Sequence, residues 1–154
     1  MESRDVPGVL ELLREFAEYE KLSQYCTATE ERFQAALFGE GSFANGIVAL
    51  SGDEIAGYAI FYPNFSTFRG ERGMYLEDIY IRPAFRGGGT GKMMLQEVAR
   101  CAAGRGFERI DFLVLDWNTP AIEFYKRLGA ECNEDETHFK FAGEAFAELS
   151  GSGV

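Results

Sequence analysis

Arg86 to Lys92 reads RGGGTGK, four glycines in seven residues between an apolar run and an amphipathic one. Backbone N–H groups at a helix start lack intrahelical partners and carry the positive end of the helix dipole, so they suit a phosphate or pyrophosphate. Glycines let such an anion come close. Spacing excludes two familiar versions of the motif. A P-loop needs glycine at 86 and serine or threonine at 93, where Arg86 and Met93 stand. A dinucleotide fingerprint begun at Gly87 and Gly89 needs a glycine at 92, where Lys92 stands. The pattern left is Arg86-x-x-Gly89-x-Gly91. Just upstream, Glu77 and Asp78 are adjacent on a β-rich run, so their side chains are expected on opposite faces, with only one of them in any given cleft.

The elements that must position these groups follow from periodicity. Val9, Leu12, Leu13 and Phe16 sit at helical spacing in PGVLELLREFAEYEKL, opened by Pro7. A second helix is expected after Thr27-Ala28-Thr29-Glu30, a capping-box pattern, with Phe33, Ala36 and Leu37 on its apolar face and Gly39 as its stop. Gly46 to Leu50 and Ile55 to Tyr62 read as strands joined in a hairpin by Ser51-Gly52-Asp53. Residues 63–73 read as a loop, and Met74 to Ile81 as a third strand feeding the glycines. Leu95, Val98, Ala99 and Ala102 then repeat the helical spacing until Gly104 and Gly106. Arg109 to Leu115 is a further strand, parallel to Met74 to Ile81 because a helix separates them. Thr119 as cap and Pro120 open a short helix ending at Gly129, and His138 to Ala142 suggests a last strand.

Composition narrows the function classes. The chain of 154 residues, with 46% hydrophobic and 26% charged side chains, fits one globular domain over 1–154. Cys26, Cys101 and Cys132 lie far apart with one histidine, His138, so neither a zinc site nor a disulfide framework is expected, and no metal. A formal charge of −10 argues against a nucleic-acid partner and agrees with a cationic substrate. No apolar run reaches the roughly 20 residues of a membrane span. MESRDVPG lacks the regions of a signal peptide, so a cytoplasmic protein with no membrane partner is expected.

The chain resembles the GNAT superfamily of acetyl-CoA-dependent N-acetyltransferases. The resemblance rests on Arg86-x-x-Gly89-x-Gly91 between strand and helix, and on DWNTPAIEFYKRLGA, Asp116 to Ala130, an asparagine before a short helix bearing F-Y-x-x-x-G. It implies an α/β fold with a mixed, mostly antiparallel sheet, flanked by helices and splayed at its two central parallel strands, where the cofactor lies. It implies that the amides of Gly87, Gly88, Gly89, Thr90, Gly91 and Lys92, with Arg86, hold the CoA pyrophosphate. Ile79, Tyr80 and Ile81 would meet the pantetheine arm through their backbone. Asn118 would contact the cofactor, and Tyr125 would protonate the departing thiolate.

Over nearly the whole chain, EFAEYEKLS, YLEDIYI, LDWN and FYKRLGA resemble the spermidine/spermine-type diamine N-acetyltransferases and, more closely, their thialysine-acetylating relatives. Two departures stand out. The family's first strand is missing because the chain begins almost at the first helix, so either the start is truncated or one edge strand is absent. Ser66 and Phe68 stand where polyamine-acetylating members carry an acidic residue and a tryptophan, which favours a smaller amine. The subfamily implies Tyr19, Glu20, Glu77 and Asp78 near the acceptor, Glu77 as the base, and a homodimer.

The chemistry is restrictive. A lysine-like ammonium with a pKa of about 10.4 must lose a proton before it attacks a thioester, so a base or a water path is required. A phenol near 10 cannot fully protonate a thiolate near 8.5 unless the site shifts these values, so a hydrogen bond from Tyr125 to sulfur is the minimum role. Cys101 has no His–Asp partnering evident around it, so direct attack in a ternary complex is expected rather than an acetyl-enzyme. The alternatives are protein or peptide N-acetylation and a non-catalytic CoA-binding module.

Overall fold

In the computed structural model, which describes residues 1–133 and 137–151, the first apolar stripe forms helix α1, Val6–Tyr19. Pro7 sits in its first turn, where a missing N–H breaks no helical bond. The helix stops short of the expected Leu22 because Glu20 caps it and Lys21 turns to a left-handed φ of 60°. Helix α2, Glu30–Phe38, is capped by Thr29 rather than by Thr27 of the expected box, the Thr29 hydroxyl accepting from Arg32 N–H. Gly39 ends it, as expected.

Strands β1, Asn45–Ser51, β2, Glu54–Ser66, β3, Glu71–Ile81, and β4, Ile110–Asp111, form one sheet in that order. The first three pair antiparallel, and β3 pairs β4 in parallel, with helix α3, Thr90–Ala103, between them in sequence. The sheet is therefore mixed and mostly antiparallel, as expected. Among the described residues, a single 3-10 turn at Ser3–Asp5 precedes α1, and β1 lies at the sheet edge where a further strand would have stood.

Three expectations need correction. Residues 63–66 and 71–73 are strand rather than loop, and the turn is confined to 67–70. Pro63 is tolerated because strand alternation aims its nitrogen toward the β1 side, where β1 has already ended at the Asn45–Phe61 pair. The strand expected over Arg109 to Leu115 is only two residues long, because β3 and β4 diverge after Tyr75–Asp111. His138 to Ala142 form no strand, and an unforeseen helix α5, Gly143–Ser150, opens on Gly143 itself, whose φ is 58°. Its apolar pair Phe146 and Leu149 spans too few turns to register as periodicity.

Alternation along β2 builds two cores. Tyr58 and Ile60 join Val6, Val9, Leu10 and Leu12 of α1, Leu37 of α2 and Tyr80 of β3. Ala59 and Phe61 join Met74 and Leu76 of β3 and Met94, Val98 and Ala102 of α3 on the opposite face. Each large side chain so enclosed contributes about 1.5–3 kcal/mol.

The chain divides into two compact units, Met1–Leu113 and Val114–Val154. The sheet and α1 to α3 belong to the first. In the second, helix α4, Thr119–Arg127, is capped by Asn118 rather than Thr119, with Asn118 Oδ1 accepting from Ala121 N–H at 3.4 Å. Thr119 and Pro120 occupy its first turn, and Gly129, φ 92°, follows its end. Among the described residues no helix is long and apolar enough to cross a membrane.

Candidate active site

The short β4 leaves most of β3 with an open edge. Pairing covers only Met74–Ile110 and Tyr75–Asp111, so from Leu76 to Ile81 the strand has no β4 partner. Arg82 N–H donates to Ala56 O on the β2 side, and alternation then turns the backbone groups of Ile79 and Ile81 toward the open edge. Those of Tyr80 point to β2, opposite Tyr58. The splay expected between the parallel strands is present, and Ile79 and Ile81 are the residues whose backbone could meet an extended arm laid along it.

At the end of that edge lies the glycine turn. Gly87 and Gly89 have φ of 84° and 89°, the region that disfavours any side chain. A Cβ at 87, 88 or 89 would meet no heavy atom within 4 Å, so the turn faces open space. Gly89 caps α3, and the first backbone bond of the helix runs from Met93 N–H to Gly89 O. The amides of Thr90, Gly91 and Lys92 therefore precede the helical ladder. Thr90 turns its hydroxyl back to Phe85 O at 3.3 Å. Open space, left-handed glycines and unladdered amides together fit a pyrophosphate.

The carboxylates depart from expectation. Ile60 pairs Asp78 while Phe61 pairs Leu76, so Glu77 is an extra residue in β3, a β-bulge. The bulge cancels one alternation. Glu77 accepts a 2.8 Å hydrogen bond from the Tyr62 hydroxyl, and Asp78 stands opposite Ile60 on the face that Tyr58, Ile60 and Tyr62 share. Glu77 and Asp78 are thus on one face, not two. Burial, then the charges of Glu77 and Glu20, push Asp78 up to about 7. The Tyr58 hydroxyl lies close enough to favour the Asp78 carboxylate, yet it is fully enclosed and makes no well-formed hydrogen bond, so it acts as a neighbouring dipole rather than a bonded partner.

Glu20 joins this pair from the end of α1, its carboxyl raised by burial. Tyr19 lies one residue earlier, 39% exposed. The Arg86 guanidinium, first in the glycine motif, turns away from the amides: its Cζ lies 5.4 Å from the Tyr19 ring centroid and 5.5 Å from that of Tyr80, and its Nε donates to Ile81 O at 2.7 Å. Ser66 ends β2, and Phe68 is fully exposed in the turn that follows.

In the second unit, Asn118 is 7% exposed at the start of α4. Tyr125 stands on α4 edge-on to Phe124, ring centroids 5.2 Å apart, and burial pushes its phenol up to about 12. It therefore keeps its proton throughout the neutral range. The three cysteines are free, and among the described residues no three His, Cys, Asp or Glu side chains are grouped to hold a metal ion.

Sequence reasoning missed Tyr62, which holds Glu77, and Tyr58, which borders Asp78. The period-2 series Tyr58, Ile60, Tyr62 was visible, but only the cross-strand register reveals what each residue faces.

Comparison with known proteins agrees with this geometry. Residues 7–130 match the family described as acetyltransferase (GNAT). A thialysine N-epsilon-acetyltransferase of Bos taurus is 42% identical, covering 96% of this chain and 92% of its own length. Its counterpart from Sus scrofa is 40% identical over the same shares. Among solved structures, an integron cassette protein from the mobile metagenome of V. cholerae shares the fold, with a TM-score of 0.79 at 23% identity over 97% of this chain and 94% of that one. A bulged strand, an open parallel edge and a glycine turn capping the next helix thus stand within a sequence match that spans most of the chain, and the protein is an enzyme belonging to the acetyltransferase (GNAT) family.

Proposed function

We propose that the enzyme moves an acetyl group from acetyl-CoA to a primary amine of a small cationic acceptor, of diamine, polyamine or thialysine/lysine-like type. The observation that carries the reading is the convergence of Glu20, Glu77 and Asp78 on one face beside the open edge of β3, an arrangement suited to an ammonium. The relatives named thialysine N-epsilon-acetyltransferases support a lysine-like amine. The family match crosses both compact units, which supports taking 1–154 as one catalytic domain.

Acetyl-CoA supplies an activated thioester carbonyl. The amides from Gly87 to Lys92 hold its pyrophosphate, and the outward backbone groups of Ile79 and Ile81 hold its arm. Asn118 adds a cofactor contact, and Tyr19, Glu20 and Asp78 hold the acceptor. Glu77, exposed and fixed by Tyr62, takes the ammonium proton directly or through water. The freed amine attacks the carbonyl carbon, the C–S bond breaks with Tyr125 hydrogen-bonding the departing sulfur, and the extra proton left on nitrogen passes to that thiolate or to water. With its phenol near 12, Tyr125 is suited to donating that bond rather than to surrendering its proton to a thiolate near 8.5.

The enzyme works as a cytoplasmic homodimer, with neither nucleic acid nor membrane as partner; the net charge of −10 supports the exclusion of nucleic acid. The test is thiol release from acetyl-CoA over a panel of polyamines, diamines, lysine, thialysine and amino-terminal peptides. Turnover of small amines is expected. Activity on peptides alone would replace this reading with protein acetylation, and acetyl-CoA binding without turnover would make the chain a CoA-binding module.

A further inference from the structure

The acidic face continues beyond Glu77. Tyr75, two residues earlier on β3, has its phenol raised by burial and then by Glu77, Asp111 and Asp78, so it lies among all three carboxylates. Its ring sits 5.4 Å from that of Tyr62. Across the parallel ladder its partner is Asp111.

Asp111 belongs to a small polar constellation. Its Oδ2 accepts from Asn64 Nδ2 and from Arg109 Nε, each at 2.7 Å, and Arg109 Nη2 reaches Asn64 Oδ1 at 3.4 Å. The group is built over Gly73, where a Cβ would stand 2.7 Å from Asn64 Oδ1 and 3.0 Å from Arg109 Nη2. Only glycine leaves room for it. The Arg109 and Asp111 side chains nevertheless stay 22% and 39% exposed. Among the described residues, Arg109 Nη1 is uncommitted, and one Asp111 oxygen has no donor.

A guanidinium with spare donors beside a carboxylate with spare lone pairs complements an α-amino-acid head, whose carboxylate pairs with the first and whose ammonium pairs with the second. Spacing agrees. Two residues along β3 at about 3.3 Å each, and one interstrand step of about 4.8 Å, separate Asp111 from Glu77 by ~8 Å. A lysine-like side chain places its terminal nitrogen about 6 Å from its α-carbon, five zigzag bonds of about 1.5 Å. Tyr75 neighbours both ends, its phenol raised by burial and then by Glu77 and Asp111, and its ring is where the methylenes would rest.

We infer that Arg109, Asp111 and Asn64 form a head-group subsite that selects a lysine-like amino acid over the corresponding diamine, with the distal amine delivered to Glu77. The inference rests on the proposed small-amine acceptor reading. A diamine keeps the ammonium that Asp111 would pair but brings no carboxylate, so the spare donors of Arg109 stay unmatched and its charge repels the neighbouring ammonium.

Lysine and cadaverine test the subsite, because they differ only in the carboxylate. In the wild-type enzyme kcat/KM should be at least tenfold higher for lysine. Arg109→Met should lower the lysine-to-cadaverine ratio at least tenfold, and Arg109→Lys should restore part of it. A wild-type ratio of one or less, or a ratio unmoved by Arg109→Met, would overturn the subsite while leaving the amine acetyltransferase reading intact. Turnover of neither amine, with thialysine and the polyamines inert as well, would overturn both together.

Discussion

The Tyr62 hydroxyl donates to Glu77 Oε2 at 2.8 Å, joining the middle of β2 to the bulge residue of β3. The bond exists because the bulge turns Glu77 onto the face that already carries Tyr62, and it fixes the rotamer of an otherwise exposed carboxylate.

If Glu77 removes the ammonium proton, Glu77→Gln should lower kcat by about 10²–10⁴. Tyr62→Phe, which only frees the carboxylate, should lower it by roughly tenfold, matching one hydrogen bond to a charged group. Steady-state thiol release measures both, and calorimetry should still detect acetyl-CoA binding in each variant. Full kcat in Glu77→Gln would assign the base elsewhere.

Asp78 titrates near 7 in the folded chain against about 3.9 when unfolded. Below pH 4 both states are protonated. Between 4 and 7 the unfolded chain ionises while the folded one does not, so folding weakens as pH rises and levels off above about 7. Asp78→Asn should therefore gain on wild type from pH 4 to pH 8, by about 1–3 kcal/mol after allowance for partial exposure. Urea melts at the two pH values read the difference. The same variant should remove an inflection near pH 7 from kcat/KM for the amine, since an ionised Asp78 pairs better with an ammonium.

Gly89 caps α3 at a φ of 89°. Gly89→Ala forces a side chain into left-handed backbone at about 1–2 kcal/mol, so affinity for acetyl-CoA should fall roughly tenfold. Titration calorimetry measures this directly. An unchanged affinity would remove the turn from the pyrophosphate site.

Tyr125→Phe keeps the ring against Phe124 and deletes only the hydroxyl. We expect kcat to fall about 10²-fold with acetyl-CoA affinity retained, the signature of a contact made as the thiolate departs. Loss of affinity with kcat preserved would reassign Tyr125 to cofactor binding alone.

Direct attack leaves no covalent intermediate. Incubation with acetyl-CoA alone, followed by intact-protein mass spectrometry, should show no stable addition of one acetyl group. An acetylated species, mapped to Cys101 or another nucleophile, would replace the ternary-complex route.

Much of this enzyme is determined by local sequence. RGGGTGK announces a helix-capping anion turn because left-handed glycines and unladdered amides are properties of a few consecutive residues. The helices at Val6, Thr90 and Thr119 and the hairpin at Gly52 are legible for the same reason. The tertiary structure alone decided the rest. Whether Glu77 and Asp78 share a face depends on one extra residue in the β2–β3 register, which no period along a single strand reveals. The two-residue length of β4, and with it the open edge of β3, depends on where two strands distant in sequence stop pairing. Asn64, Arg109 and Asp111 meet over Gly73 because pairing gathers β2, β3 and β4 at one point. Contacts set by register across strands are long-range in sequence, so they become visible only once the sheet is assembled.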